Sequence, residues 1–250
     1  MSKILKWLDN YWYHYKWQTI VGGLFLIFLI ISVTQCAMKT DADITLLYGG
    51  PAALTANDTR DLTNVFNLIM PKDFNGDGKK SSELINIYLL TNEQLDQLQQ
   101  EAKANNDILL YNSKELSNNR TQFSTQIFAG EAVIVLIDPQ WYTDIRDSGG
   151  FVKLTDVLGY QPEYAQDAYS VQLHDTDFAK YFEIFSVLPE DTLIAVRGPS
   201  TSVGFKSKTN EEKRYQNQLE MFRAIMNFSI PAGNTESADT LTAPNPEQAE

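Results

Sequence analysis

The longest apolar run in the chain is Ile20 to Met38 (IVGGLFLIFLIISVTQCAM), and it lies near the start. About 19 helical residues rising ~1.5 Å each reach roughly 28 Å, just enough to cross a hydrocarbon core. Beyond it the pattern changes to short apolar stretches separated by amphipathic ones. Asp43 to Tyr48, closed by Gly49-Gly50-Pro51, reads as a buried strand ending in a turn. A helix capped by Asp58 or Thr59 follows, with Leu62, Val65, Phe66 and Ile69 at helical spacing and Pro71 as its stop. Leu84 to Leu90 predicts a second strand, and Thr91 to Gln94 a capping box opening a helix with Leu95, Leu98 and Ala102 inward.

Ile108 to Tyr111 reads as a further short strand and Asn119 to Ala129 as a helix stopped at Gly130. Ala132 to Ile137 (AVIVLI) is apolar at every position, which predicts a central strand covered on both faces. Asp138-Pro139 starts a short helix, and Gly149-Gly150 turns the chain before Phe151. Between Tyr169 and Val196 three segments (YSVQLH, YFEIFSVL, TLIAV) read as antiparallel strands. Thr209 to Glu212 is a second capping box, ahead of Tyr215, Leu219, Phe222 and Met226 on one helical face. From Ala232 to Glu250 the composition is that of a disordered acidic tail. The expected fold class is α/β: an N-terminal transmembrane helix, then one mixed, mostly parallel sheet flanked by helices. The expected segments are 1–19 as inner flank, 20–38 as anchor, 39–231 as an extracytoplasmic domain and 232–250 as tail.

The flank before the run adds direction. Trp7, Tyr11, Trp12, Tyr13, Tyr15 and Trp17 suit a membrane interface, and Lys3, Lys6 and Lys16 place the N-terminus inside by the positive-inside rule. A cleaved signal peptide does not suit this long aromatic start. A lipoprotein signal acylated at Cys36 and a buried core helix stay as alternatives to the uncleaved anchor. The net charge is −12, and with three lysines and one acid ahead of the run the remainder carries −14. Such a domain repels nucleic acid and anionic headgroups, so neither is expected as its partner. With a single cysteine no intrachain disulfide can form.

The segment Gln126 to Ala132, the strand Val133 to Asp138, Trp141-Tyr142 and the Gly150 to Asp156 turn (GFVKLTD) together resemble the first lobe of extracytoplasmic solute-binding proteins of the type II periplasmic-binding-protein fold. The resemblance covers the order of elements from Asp43 to Leu158. It implies a ligand crevice, but too few residues follow Leu158 for a second lobe of equal size, so that lobe is expected to be absent or vestigial.

Two groups of residues carry candidate chemistry. Asp73-Phe74-Asn75-Gly76-Asp77-Gly78-Lys79 has the alternating acids and glycine of a calcium loop, with Asp73, Asn75, Asp77, the Lys79 carbonyl and Glu83 as candidate metal ligands. The bidentate acid expected at the twelfth position is Leu84, and a Gly-rich surface turn explains the same residues. Any calcium here is expected to be structural. Asp138, Trp141 and Tyr142 follow the central strand, where open α/β sheets bind ligands, and are the candidate ligand-binding residues. A plain helix cap at Asp138 with Trp141 packed inward is the competing reading. His174 beside Asp175 and Asp177 is too sparse for a metal site, and no nucleophile elbow, phosphate loop or dinucleotide fingerprint occurs. The function expected is therefore a non-enzymatic, membrane-anchored binding module for a protein partner or small ligand. A tethered solute receptor of a transporter is the alternative, and a hydrolase using Asp138 or Asp175 and Asp177 a more distant one.

Overall fold

A computed structural model describes residues 3–37, 42–105, 113–130, 132–199 and 208–231. The chain divides into two compact units, Met1–Asp41 and Ala42–Glu250. The first contains one continuous helix, α1 (Lys3–Ala37, 35 residues). Its stretch Tyr11–Ser32 is long and apolar enough to cross a membrane, and none of it is buried. This window begins nine residues ahead of the run read from hydrophobicity alone. The aromatic flank continues the same helix without a break, and its rings add to the apolar character. The side chain of Cys36, the Ile108 to Tyr111 segment and the tail from 232 lie outside the described residues.

The second unit is built on one five-stranded mixed sheet: β1 (Ile44–Gly50), β2 (Ser82–Tyr88), β3 (Ile134–Ile137), β4 (Ser170–Gln172) and β5 (Leu193–Val196). Their spatial order is β2-β1-β3-β5-β4. β1 pairs in parallel with both β2 and β3, while β5 runs antiparallel between β3 and β4. The late strands β5 and β4 thus form an antiparallel pair at one edge of the sheet, β5 being the strand that joins it to β3. β1 and β3 are buried along their whole length, as strands covered on both faces are, and only Thr45 of β1 interrupts their apolar character.

One face packs Ile44, Leu46, Tyr48, Ile134, Leu136, Ile194 and Val196 against α2 (Ala56–Ile69), α6 (Leu154–Leu158), α7 (Asp177–Tyr181) and α8 (Lys208–Met226). Here Phe66, Phe178 and Phe185 meet ring to ring, with centroids 4.9 to 5.8 Å apart. The other face packs Leu47, Ile87, Val135, Ile137 and Ala195 against α4 (Ser113–Ala129) and α5 (Pro139–Asp147).

Several local expectations shift. Thr55, three residues ahead of Asp58, caps α2, and Asp58 returns the bond to the Thr55 N–H. The box at Thr91 and Gln94 opens α3 (Asn92–Ala104) as read, but α3 buries no residue fully. Thr176 caps α7 through a bond from the Ala179 N–H. YFEIFSVL is not a strand: Tyr181 ends α7 and Glu183–Val187 forms a 3-10 turn. Phe178, Phe182 and Phe185 recur at helical spacing and all three are buried, so the helical period wins over the β-favouring residue types. α8 begins at Lys208, which puts Thr209 inside the helix instead of at its cap.

Candidate functional site

β1 and β3 are adjacent and parallel, yet the chain leaves them in different directions, to β2 through α2 and to α5 directly. A crevice at such strand ends is where open α/β sheets place ligands. At these strand ends lie Gly49 and Gly50 of β1 and Asp138 just past β3. The Asp138 N–H donates to the Gly49 carbonyl at 3.0 Å, extending the ladder by one rung. A side chain at Gly49 would be driven into the Phe123 ring, which is itself buried.

Asp138 is buried, with 6% of its surface exposed, and both its oxygens are engaged. One accepts from the Gln140 N–H at 2.9 Å as the N-cap of α5. The other accepts from the side-chain amide of Gln94 at 2.8 Å, which ties α3 to the start of α5. Arg120 of α4 donates to the Leu90 carbonyl and to Asn92, and its guanidinium lies 5.6 Å from the centre of the Trp141 ring. Trp141 sits edge-on to Phe123, and its buried indole N–H finds no hydrogen-bond partner among the described residues. On the opposite face Tyr48 accepts from the Ala52 N–H. Burial, with Asp138, Asp191 and Tyr88 nearby, pushes its phenol up to about 12.

Asp138 and Trp141 thus lie together at these strand ends, against Gln94 and Arg120, whereas Tyr142 turns away from them. The Tyr142 ring is 2% exposed and stacks on Phe151 at 5.1 Å, and its hydroxyl donates to Asp167 at 2.7 Å. Burial pushes the Tyr142 phenol above its ordinary range. Asp167 also accepts from the Tyr169 and Ser170 N–H groups, the Ser170 hydroxyl and Arg146. Burial alone would raise this carboxyl, but the five donors outweigh it and hold it below its ordinary value.

The Asp73 loop lies at the other end of the sheet. It leads into the start of β2, and the seven-residue strands put roughly 20 Å between strand ends. Asp73 accepts from the Gly76 and Gly78 N–H groups, Asn75 from Asp77 and Asp77 from Lys79. Those donations hold the Asp73 carboxyl below its usual range. Both of its glycines have positive φ, 81° and 86°, which makes them the residues that allow the turn. Asp43, 9% exposed, secures the loop from outside by accepting from Phe74, Asn75 and Ser81. Glu83 is exposed on β2, and Leu84, at the closing position of a calcium loop, is buried in the core. No group of three or more His, Cys, Asp or Glu side chains suited to a metal occurs among the described residues. His174 bonds the Phe185 carbonyl through Nε2, which makes it part of the fold.

Three residues that organise this unit carried no clear signal in the sequence. Arg197 is 5% exposed and donates to the carbonyls of Ile127, Gly130 and Ala132 at 2.7 to 3.0 Å, capping the C-terminal end of α4. Burial lowers its pKa from the ordinary guanidinium value. Asp43 and Asp167 are single acids in an acidic chain, and only their positions before strands hint at a role. Comparison with family models, with curated proteins and with solved structures finds no match to this chain.

Proposed function

We propose that this chain is a single-pass, membrane-anchored binding module, with its N-terminus cytoplasmic and its α/β unit on the outer side, and that it is not an enzyme. The observation that carries the reading is α1 itself: an apolar helix whose Tyr11–Ser32 stretch has no buried residue and needs an apolar surrounding. The lysines before it and the acidic remainder support the orientation. The parallel β2-β1-β3 portion with its crevice at Asp138 supports a single solute-binding-protein-like lobe. In that crevice Asp138, Gln94 and Arg120 are bonded to the protein. This arrangement favours a protein partner, approached at the same membrane, over a small solute taken into a cleft. Tethering raises the effective concentration of such a partner, so a modest intrinsic affinity suffices.

Calcium enters this proposal only as a structural ion held weakly by Asp73, Asn75, Asp77 and the Lys79 carbonyl, far from the crevice. The test of the module is thermal denaturation with sugars, peptides and ions. A tethered solute receptor, the second reading, gains several degrees with one small ligand, and Asp138→Ala removes the gain. The binding module gains none from small solutes and shows no turnover in a hydrolase screen. Turnover lost in Asp138→Ala would overturn the non-enzymatic reading.

A further inference from the structure

α1 carries six exposed aromatic residues in its first five turns: Trp7, Tyr11, Trp12, Tyr13, Tyr15 and Trp17, with between 41% and 77% of each exposed. Trp7, Tyr11 and Tyr15 form a stacked ladder along one side, with centroids 5.7 and 5.3 Å apart. The Thr19 hydroxyl, on the same side, lies 3.1 Å from the Tyr11 hydroxyl and donates to it. The other rings do not join this stripe. At about 100° per residue, Trp12 and Trp17 lie roughly 140° apart around the axis, and Tyr13 falls between them on the side away from the ladder.

We infer that Tyr11 to Trp17 form a closed aromatic collar seated in the headgroup interface of one leaflet, in contact with lipid around the whole circumference. This rests on the reading of α1 as a membrane anchor and sets its register. A partner helix covers one face, and a set of rings distributed on every side is matched only by an environment that surrounds the helix. Ring body in lipid and polar tip in water is the arrangement that Tyr and Trp favour at such a boundary. Seven residues rise about 10 Å, close to the roughly 5 to 8 Å of interface on each side of the hydrocarbon.

With the collar in the interface, the hydrocarbon begins near Gln18. About 30 Å of helix from there runs to Ala37, where α1 ends. Lys3 to Asn10 then continue as about two helical turns beyond the lipid. Lys16 lies within the collar, and Lys3 and Lys6 beyond it outnumber Asp9, so the surface that fits is an anionic one.

The test uses the full chain in vesicles of phosphatidylcholine with a minority of phosphatidylglycerol, containing lipids brominated at a shallow or a deep acyl position. The loss of quenching in Trp12→Phe and in Trp17→Phe reports each ring, and Trp141 in the α/β unit supplies an unquenched background. The collar predicts quenching of both Trp12 and Trp17, stronger from the shallow label and stronger for Trp17, which lies about 7.5 Å deeper, with the weakest quenching for Trp7 in Trp7→Phe. Quenching of only one of the two rings, or stronger quenching from the deep label, overturns the collar. A chain that floats with the vesicles while both rings stay unquenched refutes the collar and leaves the anchor. A chain that does not float refutes both.

Discussion

Arg197 offers the sharpest test of how the α/β unit is held together. Replacing it with Met keeps much of the apolar stem and removes three donors from the carbonyls of Ile127, Gly130 and Ala132. A hydrogen bond from a charged group contributes about 1.5 to 3 kcal/mol net, and a buried carbonyl left unpaired costs about 1 to 3 kcal/mol. Against this, Met no longer carries the cost of burying a guanidinium, so the sum is smaller than three separate losses. We expect Arg197→Met to cost about 3 to 5 kcal/mol, the lower part of the roughly 3 to 9 kcal/mol that three unpaired buried carbonyls would cost separately. For a unit of this size that corresponds to a fall in Tm of about 6 to 20 °C. Urea unfolding of the 42–250 unit, followed by circular dichroism, gives the free energy directly. Arg197→Lys, with its charge kept but without the planar fork, should fall between the two. A Met variant within about 1 kcal/mol of the parent would refute the claim that this guanidinium holds the end of α4.

The remaining expectations concern the crevice, the Asp167 hub and the Asp73 loop. Gly49→Ala forces a methyl against the buried Phe123 ring and should cost about 1 to 3 kcal/mol in urea unfolding, with partial recovery when Phe123 is also shortened to Leu. The depressed Asp167 carboxyl contributes stability that is fully present above the unfolded value of about 3.9 and is lost as pH falls through the lower folded value. Asp167→Asn should therefore lower the urea midpoint at neutral pH and flatten its decline in acid, and parallel curves for parent and variant would count against the hub. Titration of the unit with calcium should give heat only in the millimolar range, lost in Asp73→Asn, whereas no heat would leave the loop as a self-closed turn.

How much of this was legible in the sequence depended on the kind of signal. β1 and β3 were readable because strands buried on both faces are apolar almost throughout, and Asp138-Pro139 because a cap followed by proline has few other uses. The Thr91 box was readable for the same local reason. The 181–188 segment was not, since Tyr, Phe, Ile and Val favour strands locally while the pocket between α2 and α7 takes Phe185 from a 3-10 turn. Tyr142 and Trp141 are neighbours in sequence but fall on different sides of α5, so only the packing separates a core ring from one at the crevice. Arg197 could not be placed, because its partners are main-chain carbonyls some 65 to 70 residues earlier, and carbonyls leave no mark in a sequence.

The claim on which the rest depends is that α1 anchors the acidic α/β unit outside the membrane. Protease treatment of intact cells producing the chain with a C-terminal epitope tests it most directly, with the cleaved fragments sized and the membranes extracted in alkaline carbonate. An uncleaved anchor predicts a full-length chain that stays with the membrane in carbonate and loses its epitope to external protease, leaving a short protected fragment that contains α1. Release by carbonate, an epitope protected until the cells are broken, or a mature chain that begins at Cys36 would contradict it.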